Sequence, residues 1–145
     1  MPYKNIEIDI PGYSQQNTDS NTHFYKGFST RDAGNKGSKL YDFELIKQNI
    51  LNHFNTRKGE RVMNPNFGTI IWDLLMEPLT PEIRNALTND IQTIVNFDPR
   101  VYPLQVEVNE YERGFLVELT LALKNTNETS TLRVAFDQQI GLVRQ

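Results

Sequence analysis

Between Thr56 and Pro78 the chain reads TRKGERVMNPNFGTIIWDLLMEP, with Arg61, Asp73 and Glu77 gathered around one short apolar run. Asp73 and Glu77 are four residues apart, so on a helix their carboxylates share a face. Two carboxyl groups about 5 Å apart can cleave a glycosidic bond with retention, provided an apolar pocket keeps one of them protonated. A small peptidoglycan hydrolase is therefore the enzymatic reading of this stretch. The immediate neighbours of Glu77 are Met76 and Pro78. They suggest a helix end and no apolar pocket, and there a carboxylate can instead accept a bond from arginine. Ordinary ion pairs perturb acids as active sites do, so the sequence favours a structural staple, with Arg61 and Glu77 as its partners.

Other chemistry finds less support. His23 lies in a polar stretch and His53 beside a helical apolar stripe, and no HExxH or comparable ligand cluster occurs. Gly34-Asn35-Lys36-Gly37-Ser38-Lys39 lacks the Gly-Lys-Ser/Thr order of a phosphate loop and has no apolar strand before it, so it reads as a linker. No Gly-x-Ser-x-Gly elbow is present. Cysteine is absent, which excludes disulfides and thiolate chemistry and fits a reducing compartment. No catalytic residue, metal or cofactor is expected.

Arginine beside turns stands out instead. Arg61 follows Lys58-Gly59-Glu60, and Arg100 follows Asp98-Pro99. A guanidinium at a rigid corner can fork onto a carboxylate or anchor a partner chain. For Arg61 the internal staple is favoured; for Arg100 both roles stay open.

These residues must be positioned by a mixed fold. Asp42 is a candidate N-cap, and Phe43, Ile46, Ile50, Leu51 and Phe54 recur at helical spacing behind it. Lys58-Gly59 ends that helix or opens a turn. Residues 59–68 read as a strand-like elbow broken by Asn64-Pro65-Asn66 and Gly68, with a short helix from about 70 to 76 after it. Thr80-Pro81-Glu82 begins a long helix whose apolar face is Ile83, Ala86, Leu87, Ile91, Ile94 and Val95, and Pro99 stops it near Phe97.

After Arg100 the apolar period changes from 3.6 to 2. Leu104, Val106 and Val108 share one strand face; Phe115, Val117, Leu119, Leu121 and Leu123 share a second; Leu132, Val134 and Phe136 share a third. The expected fold class is α+β, with two main helices, an elbow and short helix, and a three-stranded antiparallel meander packed on the helices. Residues 41–137 form its single domain. Residues 1–40 are an N-terminal arm, with a short strand over Ile6, Ile8 and Ile10 and with Phe24, Tyr25 and Phe28 as anchors on a partner. Residues 138–145, with Ile140, Leu142 and Val143, are a tail that is either a further contact or a frayed end.

Composition bounds the partners. The 145 residues carry 15 basic and 18 acidic side chains, a net charge of −3, which gives no electrostatic footprint for nucleic acid. No run of 18 apolar residues and no basic-then-apolar leader occurs, so a soluble chain without a membrane partner is expected.

Four motifs in order, Thr56-Arg57-Lys58-Gly59-Glu60-Arg61, Asn64-Pro65-Asn66-Phe67-Gly68, Leu75-Met76-Glu77-Pro78 and Asp98-Pro99-Arg100, resemble the small baseplate wedge protein, or sheath initiator, of contractile-tailed bacteriophages. The type VI secretion baseplate component TssE belongs to the same family. The resemblance runs from about Asp42 to Phe136. It implies a non-enzymatic virion part in the tail baseplate, assembled in the host cytoplasm in multiple copies. Its implied partners are the larger wedge proteins, the tail tube and sheath subunits, with the β half templating the first sheath ring. The family's corner is Glu-Pro-Arg, and Asp98 here is one methylene shorter. The resulting partner-binding or structural-corner set is Arg61, Phe67, Trp72, Glu77, Pro78, Asp98, Pro99 and Arg100. Phage or secretion system stays open, with the Asn- and Thr-rich composition favouring phage.

Overall fold

The structure is a computed structural model that describes residues 24–29 and 39–145. The strand expected over Ile6, Ile8 and Ile10, His23 and most of the Gly34–Lys39 linker lie outside the described residues. The described residues begin with two short strands, β1 (Lys26–Phe28) and β2 (Lys39–Tyr41), paired antiparallel. Helices α1 (Asp42–Phe54), α2 (Ile71–Leu74) and α3 (Pro81–Phe97) follow, and then β3 (Val101–Tyr111), β4 (Gly114–Leu123), β5 (Thr129–Asp137) and β6 (Gly141–Arg144). The last four strands form one antiparallel meander in sequence order.

The two helical stripes and the sheet meet in one core. Ile46, Ile50, Leu51 and Phe54 of α1 pack with Leu87, Ile91, Ile94 and Val95 of α3 over Val117, Leu119, Leu121, Leu132, Val134 and Phe136 of the sheet. Burying each such side chain stabilises the fold by about 1.5–3 kcal/mol. Ala86, expected on the α3 face, is exposed. The N-cap of α3 is as the sequence predicts: Thr80 Oγ1 accepts from the Ile83 N–H at 3.3 Å, and Pro81 occupies the first turn.

The sheet has four strands, not three. Residues assigned to a tail supply β6, which pairs with β5 from Val134↔Arg144 to Asp137↔Gly141. Its apolar residues are too few for a periodicity signal; what holds it is pairing plus a fork from Arg144 onto the Glu44 carboxylate of α1 at 3.2 and 3.3 Å. Leu104 does not share a face with Val106 and Val108. The register slips between Pro103 and Gln105, so Leu104 is the extra residue of a β-bulge and is 52% exposed.

Asp42 is not the cap of α1. Tyr41 holds that position, and Asp42 itself has φ +43, a conformation aspartate tolerates better than most residues. Its Oδ1 accepts instead from the N–H groups of Phe24 and Tyr25, at 3.0 and 2.9 Å. The carboxylate thus fastens the strand pair to the start of the helix. Of the three expected anchors, Tyr25 packs against the core, while Phe24 and Phe28 are exposed.

Candidate functional site

The stretch from Thr56 to Ile70 crosses between α1 and α2 as turns and bends. A single bridge, Arg57↔Thr69, is its only strand-like pairing among the described residues, so the elbow is not a strand. Two features of the sequence force this. Gly59 takes φ +84 and Gly68 φ +123, and Pro65 removes a donor between them. The elbow folds back on itself through Gly59 N–H to Pro65 O at 2.8 Å and Thr69 N–H to Thr56 O at 2.9 Å.

Buried side chains then hold the elbow to both long helices. Asp90, on α3, is buried and receives three donors: Lys58 Nζ at 2.6 Å, Thr69 Oγ1 at 2.8 Å and the Ile70 N–H at 3.1 Å. His53, on the last turn of α1, is also buried, and its Nε2 accepts from the Gly68 N–H at 3.0 Å. An acceptor there requires neutral imidazole. Burial lowers the His53 pKa, and the positive charges of Arg61 and Lys58 act the same way against the opposing pull of Asp90.

Phe67 lies on this histidine. The two rings stack with centroids 3.8 Å apart, and the Arg61 guanidinium sits 3.8 Å from the Phe67 centroid. Two groups at that distance cannot share one face, so Phe67 is sandwiched between a neutral ring and a cation. Phe97, 65% exposed at the end of α3, meets both rings edge-on.

The result is a groove between α1, the elbow and the C-terminal part of α3. Its two adjoining hollows share His53, Phe67, Ile94 and Phe97. One hollow, of about 440 Å³, ends on Arg61, Asp98, Pro99 and Arg100; the other ends on Lys58 and Asp90. At the corner, Arg100 forks onto Asp98 with Nε to Oδ1 at 2.8 Å and Nη2 to Oδ2 at 2.6 Å, and its own N–H bonds Oδ1 at 3.0 Å. Burial opposes the charged form of Asp98, but the side-chain and backbone bonds from Arg100 outweigh it and hold the carboxyl pKa below its ordinary value. The short aspartate therefore reaches Arg100 itself. On its other side the guanidinium lies 5.4 Å from the Tyr25 ring.

The expected site residues are thus divided. Arg61, Phe67, Asp98, Pro99 and Arg100 share the groove. Trp72 does not: its Nε1 donates to Phe54 O at 2.7 Å and its ring meets Phe136, so it closes the C-terminal end of α1 against the core. Glu77 and Pro78 line a separate notch beside the β3–β4 hairpin. Among the described residues no ion pair joins Arg61 to Glu77; the elbow's staple is Lys58–Asp90. Asp73 and Glu77 do not share a helical face either, because α2 ends at Leu74. Both are exposed, and Asp73 lines neither groove nor notch.

Sequence reading missed Asp90, His53, Thr69 and Phe97. For Asp90 a signal existed: it falls beside Leu87, Ile91 and Ile94 on the apolar face of α3, where an acid must find a partner. For Phe97, an aromatic ring two residues before the helix-stopping Pro99 was the only hint.

The chain resembles known proteins over this region. A family model described as baseplate wedge protein gp25 matches residues 42–128. The baseplate wedge protein gp25 of Enterobacteria phage T4 is 38% identical over 72 residues, which is 49% of this chain and 54% of the T4 protein. The chain therefore matches about half the length of that relative. Among solved structures, a Geobacter sulfurreducens chain described as a tail lysozyme superposes with TM-score 0.55 at 26% identity, over 62% of this chain and 85% of that one. A chain of the anti-feeding prophage baseplate superposes with TM-score 0.53 at 25% identity, over 73% of this chain and 86% of that one. With elbow, α3 and corner all inside the matched segment, the chain belongs to the baseplate wedge protein gp25 family.

Proposed function

We propose that the chain is a structural wedge component of a contractile tail, joining larger wedge proteins to the tail tube and templating the first sheath ring. Family membership over residues 42–128 carries this reading. The groove supports it physically. Its exposed Phe97, the Arg61–Phe67–His53 stack and the Asp98–Arg100 corner offer a rigid, mixed aromatic and cationic surface. Such residues are favoured anchors for another chain. The groove is the proposed seat of a wedge partner.

The sheet supports the sheath role. β6 covers only the distal part of β5, so Thr129 to Leu132 pair with β4 alone among the described residues. Those open donors and acceptors can take an added strand from a sheath subunit. The opposite edge is less receptive, because Pro103 and the bulge at Leu104 interrupt β3.

The test is an affinity pull-down of the tagged chain from its native infected or secreting cells, with mass spectrometry of what accompanies it. Wedge, tube and sheath proteins are expected, and their identities separate phage from type VI apparatus. A chain that elutes alone and clears cell-wall suspensions, with clearing abolished by Glu77→Gln, overturns the proposal in favour of a hydrolase.

A further inference from the structure

The end of the molecule remote from the groove carries a second surface. The link from Leu75 to Leu79 and the β3–β4 hairpin enclose a notch whose large exposed apolar side chains are Met76, 77% exposed, and Tyr111. Glu77, Glu110 and Glu112 rim it, against the single cation Arg113, whose guanidinium engages the Gln139 side chain. The notch is held open from below: Gln138 Nε2 donates to Leu75 O at 2.9 Å and the Gln138 N–H to Arg113 O at 3.1 Å. It is a fixed notch that presents two apolar side chains between acidic lips.

The elbow presents an apolar tip with the opposite charge around it. Val62 and Met63 stand at its tip, 94% and 96% exposed, as two adjacent apolar side chains with almost no contact to their own protein. Arg57, Lys58 and Arg61 flank them against one acid, Glu60. The elbow is braced on Asp90 and His53, so the tip is presented at little further entropic loss. It cannot reach its own notch. The notch lies at the N-terminal end of α3, whereas the elbow is braced on Asp90 in the middle of that helix and its Phe67 meets Phe97 at the far end; the whole helix of 17 residues is about 25 Å long.

We propose that the Val62–Met63 tip of one copy seats in the Met76–Tyr111 notch of the next, a head-to-tail contact between copies of this chain. The apolar tip covers Met76 and Tyr111, while the cations behind it face the three glutamates. Such a contact is heterologous: it closes into a ring if the rotation between copies permits and extends into a filament if it does not. It leaves the sheet edge free and shares only Lys58 and Arg61 with the lining of the groove.

Heterologous contacts can be tested by complementation, using the full-length chain in sedimentation velocity over a wide concentration range. The wild type is expected to self-associate, more weakly in high salt. Met63→Asp spoils the tip and leaves the notch; Glu110→Lys with Glu112→Lys spoils the notch and leaves the tip. Each alters only exposed positions, and circular dichroism verifies the fold. Each alone is expected to weaken association at least about tenfold, equivalent to about 1.4 kcal/mol. Mixed together, the two variants are expected to form a one-to-one dimer that goes no further, from one intact tip and one intact notch. A monomeric wild type, undiminished association in either variant, or a mixture that does not pair overturns the proposal.

Discussion

Lys58 Nζ lies 2.6 Å from Asp90 Oδ1, and through that one carboxylate the elbow is fixed to α3. The acid is 3% exposed and the lysine 40%, so the two partners do not contribute equally. Asp90 also holds the Thr69 hydroxyl and the Ile70 N–H. Removing it strands the buried Thr69 hydroxyl and the half-buried Ile70 N–H, whereas removing the lysine leaves the acid two of its bonds.

Asp90→Ala is accordingly expected to destabilise the chain by about 2–4 kcal/mol. Lys58→Met is expected to cost less than about 1 kcal/mol, because its ammonium keeps access to water. Urea unfolding with an unchanged m-value measures both. Equal losses would show that the ion pair, not the buried donors, carries the linkage.

The two elbow glycines differ in what surrounds them. A Cβ on Gly59 meets nothing, but one on Gly68 would fall 2.6 Å from the Arg57 carbonyl carbon and 2.7 Å from the Thr56 oxygen. Both have positive φ. Gly59→Ala should therefore cost about 1 kcal/mol, from backbone strain alone. Gly68→Ala should cost over about 2 kcal/mol, since backbone must also move. The thermal midpoints of the two variants give the comparison.

Stability should fall on mild acidification because of His53. Its pKa is lowered in the folded protein, so below the unfolded value of about 6.5 the unfolded chain binds more protons and is favoured. At higher pH both states are neutral and the effect vanishes. The loss continues until the folded pKa is passed, at no more than about 1.4 kcal/mol per pH unit. His53→Gln keeps an acceptor for the Gly68 N–H and cannot titrate there. Its urea midpoint is expected to vary less between about pH 7.5 and pH 5 than that of the wild type; identical profiles would assign the acid sensitivity elsewhere.

Arg100→Ala separates fold from docking. Asp98 loses both side-chain bonds of the fork but keeps the Arg100 backbone N–H, so a loss of about 1–2 kcal/mol is expected with the chain still folded. Capture of wedge proteins should fall more than this destabilisation explains. Unchanged capture by the folded variant would remove the corner from the docking surface.

The relation between sequence and structure varies by element. In α3 the cap, the proline, the buried stripe and the stop are all local, and the helix forms as the sequence predicts from Pro81 to Phe97. In β4 the alternation from Phe115 to Leu121 is the alternation of burial, and only at Ala122, buried with its neighbours, does it end. Both follow from one element burying one face. Leu104 breaks that rule, since a bulge is settled by the partner strand's register and leaves no mark on periodicity.

By itself, then, the sequence determined the α+β class, the two long helices, three of the meander's four strands and the four motifs that resemble the wedge family. Each depends on residues within one or two turns of one another, or on a repeat along one strand. Tertiary structure decided the pairings. Arg61 stacks on Phe67 and not with Glu77, Lys58 reaches Asp90 across 32 residues, and Arg144 reaches Glu44 across 100. Charged side chains have long reach and many possible partners along a chain. Only the packed core, by fixing which surfaces meet, selects among them.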